Sequence, residues 1–183
     1  DLENVRGKEY IPLIARVVAP TLSSLALFVE ESVIGCEALG ILFEKCDGIL
    51  CLQLEYFDFG EDASDISRNI KEGFGRLSQL NLMHCRGDIR MFFESTPIPN
   101  LQTLRYYSTE AREATEEEEI ISSFASNYRN LINVKIFTDF KTSSFILKIV
   151  ERCRDLESLS LQDSGDTVVL EKSDIRAIAS LPR

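Results

Sequence analysis

The chain of 183 residues contains one histidine, His84. With a single imidazole, the proton-transfer and metal-binding chemistry that histidine serves has almost nothing to stand on. No glycine-rich phosphate loop, G-x-S-x-G elbow, H-E-x-x-H pair or kinase motif set occurs. His84 and Cys85 are neighbours, but successive side chains of a strand point to opposite faces, which argues against a metal site or nucleophile pair there. The five cysteines (Cys36, Cys46, Cys51, Cys85, Cys153) are an odd number with no C-x-x-C pair, against a disulfide framework or zinc site. Free buried thiols suit a reducing compartment, cytoplasmic or nuclear. Asp58, Glu61, Asp62 and Asp65 cluster around Gly60 without the spacing of a calcium loop. An enzyme is therefore not expected, and neither is a cofactor or metal.

Long apolar runs are also missing. The most apolar helical stretch, Val33 to Phe43, is too short to span a bilayer and contains Glu37. Residues 1–20 lack the succession of a signal peptide, and no Asn-x-Ser/Thr sequon occurs. Basic charge is in short supply: 20 Lys and Arg face 30 Asp and Glu, for a net −10. Such a chain is repelled by phosphate backbones and anionic membranes, so neither nucleic acid nor membrane is expected as a partner.

What the chain does have is a recurring phrase: an aliphatic residue, two variable ones, an aliphatic residue, one variable one, and a large apolar residue. Its copies are Leu22-Leu25-Leu27, Ile49-Leu52-Leu54, Leu77-Leu80-Leu82, Leu101-Leu104-Tyr106, Leu131-Val134-Ile136 and Leu156-Leu159-Leu161. Their starts lie 27, 28, 24, 30 and 25 residues apart. A period of this size points to a solenoid of one domain, 1–183. Within each phrase the apolar spacing is that of a strand. Between phrases it turns helical, over about 32–45, 62–74, 116–128 and 142–152, with a shorter helix near Asp88 to Glu94. Lys172-Ser173-Asp174 reads as the cap of a last helix carrying Ile175, Ile178 and Leu181. Thr115 and Glu118 fit a capping box, which makes the acidic run Glu110 to Glu119 a solvated helix start or, alternatively, an acidic contact loop. Residues 1–20 read as the helix of a preceding unit or an N-terminal flank. With no polar cap at either end, the chain reads as a piece of a longer protein.

The phrase and its period resemble the leucine-rich repeat. The resemblance implies an α/β, right-handed solenoid of about six strand–helix units, with a parallel concave sheet and helices on the convex side. A finer likeness is to the cysteine-containing repeats of F-box proteins. These place Cys three residues before the first Leu, as Cys46 and Cys153 stand, or three after the third apolar position, as Cys85 stands. Phe74 and Tyr128 replace the first cysteine, and Phe57, Thr109, Asp139 and others the second. No F-box helix triplet appears in residues 1–20.

If the second and third apolar residues face the core, the residues between and after them face the concave side. The expected partner-binding set is Phe28, Gln53, Tyr56, Met83, His84, Arg105, Tyr107, Lys135 and Phe137; Ser108, Thr138 and Asp163 fall on the same face. Phe28, Met83, Tyr107 and Phe137 follow directly on the third apolar position, either as anchors for a partner or as rings covered by other parts of the chain. Arg105 and Lys135 occupy one position in neighbouring units: two solvated cations, or one small basic spot for a carboxylate. The expected function is non-catalytic binding of a protein partner, and the F-box likeness implies substrate recognition for a ubiquitin ligase. The alternatives are the sensing or autoinhibitory repeats of a cytosolic immune or signalling receptor, and a stoichiometric enzyme inhibitor resembling ribonuclease inhibitor.

Overall fold

The computed structural model describes residues 22–28, 48–60, 73–96, 98–108, 114–138, 144–162 and 167–179. The helices expected over 1–20 and 32–45, most of that over 62–74, and Cys36, Cys46, Thr109 and Asp163 lie outside the described residues.

Each phrase folds as a five-residue strand: β1 (Ser24–Phe28), β2 (Cys51–Glu55), β3 (Gln79–Met83), β4 (Thr103–Tyr107), β5 (Asn133–Phe137) and β6 (Ser158–Gln162). These six are parallel and neighbour one another in chain order. Equivalent phrase positions pair, so Leu25, Leu52, Leu80, Leu104, Val134 and Leu159 form one row across the sheet. Buried and partly exposed residues alternate along each strand because the pleat sends successive side chains to opposite faces.

Parallel neighbours need crossovers. From β3 onward these carry α1 (Ile89–Ser95), α2 (Ala114–Asn127) and α3 (Ser144–Arg152), and α4 (Lys172–Ala179) follows later. The four pack side by side in chain order. Asp88 caps α1, its carboxylate accepting from the Met91 N–H at 2.9 Å. Phe92 and Phe93 of α1, Phe124 of α2 and Ile149 of α3 share one core with the strand leucines, so the helices cover one face of the sheet. Rings run through that core: Phe59 to Phe92 at 4.7 Å, Phe92 to Phe93 at 5.5 Å and Phe93 to Phe124 at 5.6 Å between centroids. Beyond β2 and β3 the backbones stay close. A side chain at Gly87, where φ is +77°, would meet Gly60 backbone at 2.6 Å.

Three departures from the sequence reading concern this frame. A seventh strand, β7 (Thr167–Glu171), pairs antiparallel with β6. It takes the edge of β6 where a further parallel strand would otherwise add. Helix α4 begins at Lys172 itself, and Asp174 reaches back to accept from the Glu171 N–H at 3.1 Å. Helix α2 begins at Ala114, which places Thr115 inside the helix and not at its cap.

Candidate binding face

The face opposite the helices carries three rows of side chains, the first being Ser24, Cys51, Gln79, Thr103, Asn133 and Ser158. Strand register aligns Gln53, Asn81, Arg105, Lys135 and Ser160 in one row, and Phe28, Glu55, Met83, Tyr107, Phe137 and Gln162 in the next. Each is half-buried or exposed, whereas the alternate residues are buried. Tyr56 and His84 stand just past the ends of β2 and β3. All nine residues expected to bind a partner thus lie on the sheet face opposite the described helices or at its rim.

Backbone conformation decides which residues past the strands join them. Strict alternation sends the residue two places beyond the third apolar position inward. Ser108 and Thr138 obey it and are buried, which corrects their expected exposure. Tyr56 and His84 do not: their φ angles are 54° and 53°, in the left-handed region. The turn keeps both rings outside and lets Phe57 and Cys85, the next residues, enter the core. Left-handed backbone costs a non-glycine residue on the order of 1–2 kcal/mol. Tyr56 is 44 % exposed, so burial of its own ring does not offset that cost.

The rings form two groups. Tyr56 meets Phe28 edge-on at 5.3 Å and stacks on His84 at 5.0 Å. Tyr107 stacks on Phe137 at 5.9 Å, with Lys135 Nζ 5.7 Å from the Tyr107 centroid. Geometry of this kind adds about 0.5–1.5 kcal/mol per pair and holds each ring in place.

Behind the face, the cysteine positions of the phrase are filled by core residues of different size. Cys153 and its equivalents Phe74 and Tyr128 are buried, as are Cys85 and its equivalent Phe57. Burial pushes the Cys153 thiol up to about 12, and its Sγ donates to the Tyr128 carbonyl. Burial also raises the Tyr128 phenol well above its ordinary value; its O–H donates to the Thr96 carbonyl at 2.8 Å.

The acidic run contains a residue that sequence reasoning misplaced. Glu116 and Glu119 are exposed, but Glu117 is buried. Its carboxylate accepts from Ser108 Oγ at 2.7 Å and from the Tyr106 hydroxyl at 3.2 Å. The run is therefore not uniformly a solvated helix start. Glu119 pairs with Arg90 on the neighbouring helix. A groove of about 490 Å³ lies at the opposite ends of the strands, lined by Cys153, Asp155, Lys172 and Arg176 among others. Lys172 is already paired there with Glu157.

Among the described residues no group of three His, Cys, Asp or Glu side chains is placed to hold a metal ion, and no helix is long and apolar enough to cross a membrane. In comparison with known proteins, the chain matches no family model and no curated protein sequence.

Proposed function

We propose that this chain is a non-catalytic protein-interaction domain, a right-handed leucine-rich-repeat solenoid whose uncovered sheet face is concave and holds a protein partner. The reading rests above all on Tyr56 and His84, two non-glycine residues in left-handed backbone that keep stacked rings on an exposed surface. Strain of this kind is retained where it does something for function. The second ring pair, Tyr107 and Phe137, extends the surface across β4 and β5. Rigid aromatics bury large area at low entropic cost, which suits them to anchor a partner. The in-register parallel ladder of six equivalent strands supports the repeat assignment.

Within that class we favour the substrate-recognition part of an F-box-type ubiquitin-ligase adaptor. Support comes from Cys85 and Cys153, both buried at the two positions where those repeats carry cysteine. Buried free thiols also favour an intracellular setting.

The test is affinity capture from cell extract with wild type, Tyr107→Ala/Phe137→Ala, and Leu147→Ala as a control on the exposed side of α3. The reading expects captured proteins to be lost with the double variant and kept with Leu147→Ala, at unchanged melting temperature. An identical set on all three proteins would place binding elsewhere.

A further inference from the structure

Resting on the protein-binding reading above, we propose that the sheet face opposite the described helices takes an extended peptide segment of its partner that carries an acidic residue. An Asp or Glu carboxylate of that segment lies between Arg105 and Lys135, and an adjacent large apolar side chain packs on the Tyr107–Phe137 stack.

Arg105 and Lys135 are register partners on β4 and β5. Like charges directly opposite on neighbouring strands destabilise a sheet. The chain has 30 carboxylates available, yet among the described residues neither cation has one within 4.0 Å. Lys135 instead holds its ammonium near the Tyr107 ring. Arg105 is exposed, with a guanidinium fork free to bind a carboxylate through two hydrogen bonds. A carboxylate placed there relieves the repulsion and meets an aromatic wall on one side.

The rest of the face sets the polarity of the ligand. Glu55 stands on β2, two strands from Arg105 and beside Tyr56. It repels an acid over β2 and leaves the basic pair over β4 and β5 as the acid's place. From β2 to β5 is three strand spacings, about 14 Å, the reach of roughly four extended residues. The segment therefore carries its acid and an apolar residue at the β4–β5 end, and an uncharged or basic residue at the Tyr56 end.

The experiment is selection from a random-peptide display library on wild type, Arg105→Gln/Lys135→Gln and Tyr107→Ala, each checked for unchanged melting. The expected wild-type pool carries Asp or Glu at one position beside a large apolar residue. A synthetic copy of the leading peptide binds Arg105→Gln/Lys135→Gln about tenfold more weakly than wild type. Its Glu→Gln copy binds the two proteins alike, a comparison that also covers any misfolding of the variant. An apolar pool with no acidic position that is lost on Tyr107→Ala overturns the carboxylate site and leaves the binding face standing. A pool that Tyr107→Ala does not change, or no enrichment at all, overturns both.

Discussion

Ser108 Oγ donates a 2.7 Å hydrogen bond to the carboxylate of Glu117, tying the exit of β4 to the first turn of α2. Both residues are buried, and Tyr106 adds a second hydroxyl from the same strand. The strand that carries Arg105 and Tyr107 is thereby fixed to the helix behind it.

Removing the Ser108 hydroxyl leaves a buried carboxylate short of a donor. Ser108→Ala is expected to destabilise the chain by about 1–3 kcal/mol, and Ser108→Thr by less. Urea unfolding checks this; an unchanged midpoint for Ser108→Ala would mean that the bond contributes nothing.

Thr96 behaves in the opposite way. Its Oγ1 is buried and has no hydrogen-bond partner among the described residues, while its N–H and carbonyl are both engaged. Thr96→Val keeps the shape and removes the unsatisfied hydroxyl, so a gain of about 1 kcal/mol is expected. A loss of stability would show that the hydroxyl has a partner after all.

The strands were legible because their signal is short and local. Leu-x-x-Leu-x-Leu sets both the pleat and the register, and each copy pairs with the next. What failed depended on contacts that spacing does not carry. Glu117 looks like its acidic neighbours in sequence, and only the hydroxyls of Tyr106 and Ser108 distinguish it. Ser108 and Tyr56 occupy the same place in the phrase, yet one turns inward and the other is held out by its φ angle. Strand β7 lay between a phrase and a helical pattern; the β-branched pair Val168-Val169 was its available signal. Seven of the nine candidate residues follow from alternation alone; Tyr56 and His84 stay on the face only through their left-handed backbone, and the grouping into two ring clusters was not legible either.

The cysteines should differ sharply in reactivity. Cys51 is half-buried on the uncovered face, while Cys85 and Cys153 are buried. Iodoacetamide at mildly alkaline pH, read by peptide mass spectrometry, is expected to label Cys51 and to reach Cys153 only on unfolding. The raised thiol of Cys153 also sets a direction with pH. The unfolded chain loses that proton near 9.0 and the folded chain near 12, so stability falls as pH rises above 9.0. Cys153→Ala should lessen this fall; an equal fall would remove Cys153 as its source.

At the acid end, the hydrogen bond from Lys172 and its charge hold the Glu157 carboxyl below its ordinary value of 4.5. A depressed folded value means that the pair's contribution is present above pH 4.5 and is lost as pH falls through the lower folded value. Wild type should therefore exceed Glu157→Gln in melting temperature near neutral pH, with the gap closing in acid. Both groups are largely exposed, so salt should close it too. A gap that persists in acid would contradict this pairing.

A protein partner is proposed to occupy the face bearing Tyr56, Met83, Tyr107 and Phe137. Hydroxyl-radical footprinting, with and without a protein that the wild-type chain captures, measures this residue by residue. Protection of those four side chains is expected, with Leu147 on α3 and Met91 on α1 unchanged. Protection of Leu147 and Met91, with the four face residues as reactive as in the free chain, would contradict it.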